Sequence, residues 1–239
     1  MTNNGSEWCI FIKFGKKEHL EMLQKGQIYM NTLDFYRKHE SAKGDEVVGD
    51  ASEAILAVEL ENVKIIDNET NEIVLEIPIS KAKIDPGYSR FPVFCLFRFD
   101  KRNEISCDEN NAILEFTEEQ KNKLVEFGEY ALVIKDTDEF DKRLEEALSK
   151  ENLDFAKGTI EYRNPNNEDV LERFAEGGPE VAFMKREKYD YQSEYRYMIK
   201  KEVENPLKLK IEDISDISEI VTTKTLLNWR VILGFKKLI

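Results

Sequence analysis

The order of apolar and polar positions in the first part of the chain predicts a strand–helix–strand unit. Residues 8–14, WCIFIKF, are rich in aromatic and β-branched side chains and predict a strand. Residues 16–26, KKEHLEMLQKG, predict a short helix that stops at Gly26, because glycine is common just after a helix C-terminus. QIYMN at 27–31 predicts a second strand, and 32–39 a helical turn.

The middle of the chain contains apolar runs separated by polar turns. Residues 54–60, 62–67 and 72–79 predict a meander of three strands, with the turn DNETNE before the last of them. The nearly continuous apolar run FPVFCLFRF at 91–99 predicts a strand in the centre of a sheet. At 117–128 a Thr-x-x-Gln capping pattern and a closing glycine predict a helix.

The last part of the chain continues this mixture. Its predicted elements are a strand at 129–135, a helix at 136–152, one or two strands within 153–163, a helix at 167–177, a strand at about 192–200, strands near 206–211 and 218–222, a short helix at 223–229 and a final strand. No repeat or Gly/Ser-rich linker divides the chain. We therefore predict one domain over residues 1–239 and an α+β fold with mixed, mostly antiparallel sheets and inserted helices.

One predicted strand carries polar groups at alternate positions. In YDYQSEYRY, strand geometry places Gln192, Glu194 and Arg196 on one face at intervals of ~7 Å, with Tyr195 and Tyr197 on the other. An amide, a carboxylate and a guanidinium in line are groups that a binding or catalytic site uses. The alternative is a solvated strand face with a local Glu–Arg pair, which contributes little to stability.

The strand–helix–strand unit and the loop after it supply further polar candidates. Lys13 lies at the end of the first predicted strand, and Tyr29 and Asn31 lie on the second, so that the three side chains could converge on a cleft. An ordinary packing unit is the alternative. The loop GDEVVGDASE carries Asp45, Glu46, Asp50 and Glu53 but lacks the spacing of a calcium-binding loop. A solvated loop is favoured for Asp45 and Glu46, and only the resemblance described below makes Asp50 and Glu53 candidates.

The charge balance narrows the partners that we expect. The chain has 239 residues and a formal net charge of −13. Such a chain repels phosphate backbones and anionic membranes, so no nucleic acid and no membrane is expected as a partner. No signal sequence opens the chain and no apolar run approaches the ~20 residues that span a bilayer, which predicts a cytoplasmic location.

Residue types that commonly carry chemistry are few. The three cysteines, Cys9, Cys95 and Cys107, lack the spacing of a zinc site or a disulfide framework. The two histidines, His19 and His39, are too few for a His-based triad or a His-rich metal site. P-loop, GxGxxG, HExxH and GxSxG motifs are absent. No metal is therefore expected, and an enzyme built on this chain would depend on carboxylates and amides.

The order of several short motifs resembles a family of bacterial and phage proteins of unknown function. The motifs in this chain are LQKGQIYMN, VVGDASEA, VFCLF, FGEYALVI and FMKREKYDYQSEYRYMI, which together extend over about residues 8–200. That family is distantly similar to ADP-ribosyltransferase-like folds. The resemblance implies an ADP-ribosyltransferase-like core, NAD as the candidate cofactor and a phage or mobile-element setting.

The resemblance also implies positions for individual residues. Lys13 would occupy the place of a His or Arg on the first strand of those folds, a pattern from which lysine departs. Tyr29 and Asn31 would occupy the place of a Ser, Thr or Tyr on the second strand. Gln192 and Glu194 would supply the Gln-x-Glu element of the third.

In transfer from NAD, these residues would act around a glycosidic C–N bond. Glu194 would stabilise an oxocarbenium-like transition state, and Gln192 would orient an acceptor. Tyr29 would stack on the nicotinamide, and Arg196 would keep Glu194 ionised or contact a phosphate. The other residues of the implied cofactor site are Lys13, Asn31, Asp50 and Glu53.

Two other functions stay open at this point. An acidic chain with few catalytic residue types also fits a non-enzymatic protein that binds and inhibits a host defence protein. A nuclease would use Asp50, Glu53 and Glu194 to bind Mg²⁺, although the chain lacks the Asp-x(n)-(Asp/Glu)-x-Lys pattern of such enzymes. The sequence does not decide whether the protein is an enzyme.

Overall fold

A computed structural model describes residues 8–43, 52–108 and 110–234. Its α-helices are α1 (Lys17–Gln24), α2 (Leu33–Lys43), α3 (Glu118–Leu124), α4 (Thr137–Lys150), α5 (Glu168–Glu176) and α6 (Thr223–Leu226). Its strands are β1 (Ile10–Gly15), β2 (Gln27–Thr32), β3 (Leu56–Ile66), β4 (Ile73–Ile84), β5 (Pro92–Phe99), β6 (Glu104–Cys107), β7 (Asn111–Glu115), β8 (Tyr130–Ile134), β9 (Phe155–Thr159), β10 (Glu161–Arg163), β11 (Met184–Arg186), β12 (Glu194–Ile199), β13 (Leu207–Lys210), β14 (Ser218–Thr222) and β15 (Arg230–Gly234). This mixture of helices and strands confirms the predicted α+β class.

The largest sheet has eight strands and a branched order. Its main path is β13-β2-β5-β1-β8-β14, and β12 joins it by pairing with β5 on one side and β9 on the other. All of these pairs are antiparallel. The smaller sheets are β15-β7-β6, the hairpin β3-β4 and the parallel pair β10-β11. The predicted predominance of antiparallel pairing is therefore confirmed.

The strand β5 organises the large sheet, as its apolar sequence predicts. It pairs with β12 along one edge. Along the other edge it pairs first with β2, where Val93 lies opposite Asn31, and then with β1, where Phe97 lies opposite Ile12. Since β1 and β2 both run antiparallel to β5, they are parallel to each other. Residues 94–96 lie between the two pairings, and the sheet opens there.

Two apolar layers cover the faces of this sheet, because neighbouring residues of each strand point to opposite sides. On one face Phe11 packs edge-on against Phe140 of α4, with ring centres 6.4 Å apart. On the other face Ile12 packs in a cluster with Leu124 of α3 and Leu226 of α6. Full burial of such side chains stabilises a fold by roughly 1.5–3 kcal/mol each, so the two layers fix the strands that border the opening.

The segment from β3 to β4 is a long hairpin, and the predicted meander of three strands is wrong. The strand β3 continues through the position at which the sequence pattern divides it, and it pairs with β4 in antiparallel register. Asn62 has a φ of 54° but does not end the pairing. Among the described residues, neither β3 nor β4 pairs with another strand.

Local signals place the helix α3 correctly. The Thr117 Oγ1 atom accepts a hydrogen bond of 3.2 Å from the Gln120 backbone N–H, and the Gln120 Oε1 atom accepts one of 3.0 Å from the Thr117 N–H. This is the predicted capping pair. The strands β6, β7 and β11 are not predicted by the pattern. No helix within the described ranges is long and apolar enough to cross a membrane.

Candidate functional site

Between β1 and β2, residues 94–96 have no strand partner on this edge of β5. Lys13 contacts the backbone of this stretch. The Lys13 Nζ atom donates a hydrogen bond of 2.6 Å to the Cys95 carbonyl oxygen and lies 5.1 Å from the centre of the Phe94 ring. Burial lowers the pKa of Lys13 below its ordinary value, against the opposing effects of Cys95 and Glu194. No carboxylate in the described part of the chain forms an ion pair with Lys13.

A cavity of about 780 Å³ occupies this opening. Its walls come from β1, α1, β2 and β13, and its basic side chains are Lys13, His19, Lys208 and Lys210. None of the described residues in its walls is acidic. We call it the basic cavity. In a chain with a net charge of −13, this wall is a local reversal of sign that favours an anionic ligand.

The strands β2 and β13 supply polar side chains to the wall of the basic cavity, together with the apolar residues Ile28 and Leu209. Gln27, Tyr29 and Asn31 alternate along β2 with two buried apolar residues. The register places Lys208 opposite Tyr29, and Lys210 opposite Gln27. Opposite side chains in an antiparallel pair have Cβ atoms about 5 Å apart. The ring of Tyr29, which is 52% exposed, therefore lies beside a lysine in the cavity wall.

A second cavity, of about 370 Å³, adjoins the first and contains buried charges. Its charged and amide groups on the side of β12 are Glu53, Lys185, Gln192, Glu194 and Arg196. We call it the ion-pair cavity. The walls that it shares with the basic cavity are formed by Lys13, Phe14, His19, Asn31 and Tyr36.

Glu194 lies at the centre of the buried charges. Its Oε1 atom accepts a hydrogen bond of 2.8 Å from Arg196 Nε, and its Oε2 atom accepts one of 2.7 Å from Lys185 Nζ. Glu53 pairs with the same two cations, at 2.9 Å from Arg196 and 3.4 Å from Lys185. The Gln192 Oε1 atom accepts a further hydrogen bond of 2.9 Å from Lys185. The four charges therefore balance.

These contacts keep Glu194 ionised. Burial by itself would raise the pKa of Glu194, but Arg196 and Lys185 outweigh that effect and lower it to about 2. Burial likewise opposes the charge of Lys185, yet Glu194 and Glu53 raise the pKa of Lys185 well above its usual value. Each oxygen of Glu194 accepts a hydrogen bond from a cation, and the residue is 5% exposed, so its carboxylate is held by protein groups rather than presented to solvent.

The backbone before β12 sets the position of Glu194. Gln192 ends a short 3₁₀ helix, Glu187–Gln192, and Ser193 has a φ of 39°, in the left-handed region that few residues other than glycine adopt. The Ser193 carbonyl oxygen accepts a hydrogen bond of 2.8 Å from the Arg98 N–H. The strand therefore begins at Glu194, two residues later than predicted.

Arg37 of α2 sets the position of Glu53. Its Nε atom donates a hydrogen bond of 2.5 Å to the Glu53 carbonyl oxygen, and its Nη2 atom donates one of 3.1 Å to the Ala54 carbonyl oxygen. An ion pair of 3.2 Å with Asp85 holds the other end of the guanidinium. Arg37 thus anchors the backbone at Glu53 and Ala54 to α2.

The structure brings most of the predicted site residues to these two cavities. Lys13 and Asn31 line both. Tyr29 lines the basic cavity and is not among the residues that surround Glu194. Asp50 lies outside the described residues. The predicted residues in the wall of the ion-pair cavity are Glu53, Gln192, Glu194 and Arg196.

The interpretation of residues 192–196 as a solvated strand face is wrong. Glu194 is 5% exposed and Arg196 is 1% exposed. The reason is that the 3₁₀ segment containing Ala182 covers this face, and the Ala182 carbonyl oxygen accepts a hydrogen bond from Arg196. Alternation along a strand separates two faces, but it does not show whether one of them is covered by a distant segment.

Sequence reasoning missed three lysines of the site. Lys185 pairs with both buried carboxylates, although its segment, FMKREK, was part of the family resemblance. Lys208 and Lys210 belong to LKLK, and this alternation on a strand was a usable signal that both side chains share one face.

Comparison with other proteins adds no family assignment. No protein-family model, curated protein or solved structure matches the chain. The ADP-ribosyltransferase-like core and the family resemblance therefore stay predictions from the sequence.

A metal site is not seen in the described part of the chain. No group of three or more His, Cys, Asp or Glu side chains is placed there to hold a metal ion.

Proposed function

We propose that this protein binds an NAD-derived nucleotide in the basic cavity, on the ADP-ribosyltransferase-like core that the resemblance implies. The observation that carries the proposal is the wall of that cavity, where basic side chains and an exposed tyrosine ring lie together without a described acidic residue. A complementary ligand is anionic and contains a flat ring. The phosphates of a nucleotide supply the charge, and its base or its nicotinamide supplies the ring.

The lysines of the wall retain donors for phosphate oxygens. A lysine ammonium has three N–H donors. Lys13 uses one of them on the Cys95 carbonyl group, and the ammonium group of Lys208 has no hydrogen-bond or ion-pair partner among the described residues. The volume of about 780 Å³ lies within the usual range of ligand pockets, roughly 300–1,000 Å³. The volume and the charge of the cavity therefore support a nucleotide as its ligand.

Two side chains of β2 suit the uncharged parts of such a ligand. The ring of Tyr29 is exposed at the wall and offers a face for stacking. Asn31 lines both cavities and carries an amide that can donate to and accept from a ribose hydroxyl or a carboxamide. Asn31 thus provides polar contacts at the place where the two cavities meet.

The geometry supports binding better than transfer. In the transfer reaction Glu194 would contact the ribose, but both of its oxygens accept hydrogen bonds from Lys185 and Arg196. Glu194 and Tyr29 also line different cavities. Glu194 is also only 5% exposed, so a ribose hydroxyl could reach its remaining lone pairs only after the side chains that bury it had moved. Nucleotide binding without transfer is therefore the form of the proposal that we favour.

Isothermal titration calorimetry with three ligands tests the proposal. ADP-ribose and NAD are expected to bind with dissociation constants below about 1 mM, and adenosine, which has the ring without the phosphates, at least about tenfold more weakly. Raising the salt concentration should weaken the binding of ADP-ribose and leave the binding of adenosine unchanged, because only ADP-ribose carries charged phosphates. Equal affinities for ADP-ribose and adenosine, or no binding of either ADP-ribose or NAD, would overturn the proposal.

A further inference from the structure

The end of the β3–β4 hairpin exposes a group of large apolar side chains. They are between 46% and 67% exposed, and we call them the apolar tip: Ile65, Ile66, Ile73, Val74 and Leu75. Exposed apolar residues are common as single positions, whereas contiguous ones mark binding surfaces. The five residues lie on either side of one turn, with the pair Ile65 and Leu75 on one face of the hairpin and the pair Ile66 and Ile73 on the other, so the whole end of the hairpin is apolar.

The strand register brings these side chains together. Ile65 lies opposite Leu75 and Ile66 lies opposite Ile73, while Val74 is the extra residue where the register shifts. A bulge of this kind redirects the side chain that it carries. Val74 is the most exposed of the group, at 67%. The end of the hairpin therefore presents two cross-strand apolar pairs and one protruding valine.

The base of the same hairpin is anchored to the body of the protein. Leu56 is buried in a cluster with Val170 and Phe174 of α5, and Val58 and Ile84 pack against that cluster. The strand between Val58 and the tip is long enough to extend roughly 25 Å at ~3.3 Å per residue. Since an isolated two-stranded hairpin is marginally stable in water, a partner that covers the tip would stabilise it.

The charges around the tip select the kind of partner. Four acidic residues and one lysine border it: Asp67, Glu69, Glu72, Glu76 and Lys64. Lys64 is already paired with Glu76 at 3.6 Å. The rim is therefore acidic, which repels an anionic membrane and also a second copy of this chain, whose net charge is −13. A surface with a basic rim is complementary to it.

The backbone of β4 indicates how the contact is made. Pro78 lies within this strand and has no N–H to donate to an added strand. Pro78 therefore disfavours a continued sheet along the edge of β4, and we expect the exposed side chains of the tip to supply most of the contact. None of the described residues of the hairpin lines the basic cavity or the ion-pair cavity.

We propose that the apolar tip docks into an apolar groove on another protein, and that lysine and arginine side chains border this groove. The apolar side chains supply the buried area, and the acidic rim supplies charge complementarity and orientation. The proposal does not depend on nucleotide binding, and it gives the alternative of a protein-binding function a definite surface on this chain.

Site-specific photocrosslinking of the full chain tests it. The crosslinking residue p-benzoylphenylalanine is placed at Val74 and, as a matched control, at Ile232, which is 62% exposed on β15. Both proteins are expressed in the cells of origin and irradiated. We expect one protein to be crosslinked from Val74 and not from Ile232. That protein is then identified, purified and titrated with the wild-type chain.

The titration decides between the possible occupants of the tip. We expect saturable binding that weakens at least about tenfold with Val74→Asp and also with raised salt, as an apolar contact inside a charged rim requires. The absence of a specific crosslink, a crosslink only to a second copy of the chain, or an affinity that Val74→Asp leaves unchanged would overturn the proposal. Sedimentation with phosphatidylglycerol vesicles would likewise overturn it if the chain bound them through Val74.

Two controls keep this result separate from the nucleotide site. Val74→Asp is expected to retain the unfolding midpoint of the wild type, because the replaced side chain is exposed. Its calorimetric titration with ADP-ribose should also be the same as that of the wild type, whether or not the wild type binds ADP-ribose. If Val74→Asp loses partner binding while this titration is unchanged, the loss is caused by the hairpin and not by the nucleotide site.

Discussion

The Lys13 Nζ atom lies 2.6 Å from the Cys95 carbonyl oxygen and joins β1 to β5 at the point where the two strands have already separated. A buried backbone carbonyl without a partner destabilises a fold. Lys13 supplies that partner, so the sheet can open between β1 and β2 without leaving this group unpaired. The residue that supports the opening is also a basic residue in the wall of the cavity that fills it.

Tyr29 is expected to contribute a stacking contact. Tyr29→Ala should weaken ADP-ribose binding by about 1–3 kcal/mol, the range found for stacking of a base on an aromatic side chain. Tyr29→Phe keeps the ring and is the matched control, so its affinity should stay close to that of the wild type. Calorimetry on both variants checks this. If Phe and Ala weaken binding equally, the hydroxyl group and not the ring is the source of the contact.

Glu194 and Lys185 are expected to act as a pair in folding. Glu194→Gln leaves Lys185 and Arg196 with one carboxylate between them and should destabilise the protein by about 3–5 kcal/mol. The combination Lys185→Met with Glu194→Gln removes one charge of each sign. Its loss should be smaller than the sum of the two single losses by at least about 1 kcal/mol. Urea unfolding of the four proteins measures this difference, and strict additivity would contradict the geometry.

Glu194 is expected to make the stability of the protein depend on acid pH. Its pKa is lowered from 4.5 to about 2 in the folded protein, so its ionised form adds to the free energy of unfolding above the ordinary pKa, and this addition is lost as the pH falls towards 2. The addition amounts to roughly 3 kcal/mol. Between about pH 6 and pH 3, wild type should lose more stability than Glu194→Gln, as measured by urea unfolding at each pH. Parallel losses in the two proteins would show that Glu194 is not the source.

Gly26 is expected to be essential to the turn between α1 and β2. Its φ is 80°, and a Cβ atom there would overlap the Ile211 carbonyl oxygen. Gly177 is the matched control, because its φ is 69° and a Cβ atom there meets nothing within 4 Å. Gly177→Ala should cost about 1–2 kcal/mol from the left-handed conformation alone. Gly26→Ala should lower the free energy of unfolding, measured by thermal unfolding, by clearly more than Gly177→Ala does. Equal destabilisation by the two substitutions would show that the Ile211 carbonyl group does not lie against Gly26.

The features that could be predicted are those that short segments decide. The capping pair Thr117 and Gln120, the apolar strand β5 and the alternation along β2 are each written within a few residues. Lys13, Asn31 and Tyr29 could be chosen because their strands are close in sequence and are joined by one short helix. Local pattern was sufficient for one wall of the basic cavity.

The remaining features depend on contacts between distant segments. Arg196 reaches Glu53 across 143 positions of sequence, and the covering segment around Ala182 makes its strand face buried rather than solvated. Lys208 joins the basic cavity only because β13 pairs with β2. The sequence pattern does not indicate which strands become neighbours. The buried ion pairs and the part of the basic cavity that β13 forms could therefore not be predicted from it.

The central claim is that the basic cavity binds a nucleotide through its lysines, and Lys13→Met tests it most directly. The measurement is the dissociation constant of ADP-ribose by calorimetry, for wild type, Lys13→Met and Lys150→Met, whose replaced lysine is exposed at the end of α4. We predict binding at least about tenfold weaker for Lys13→Met, the loss of one charge-assisted contact, and unchanged binding for Lys150→Met. Equal affinities for all three folded proteins would contradict the account.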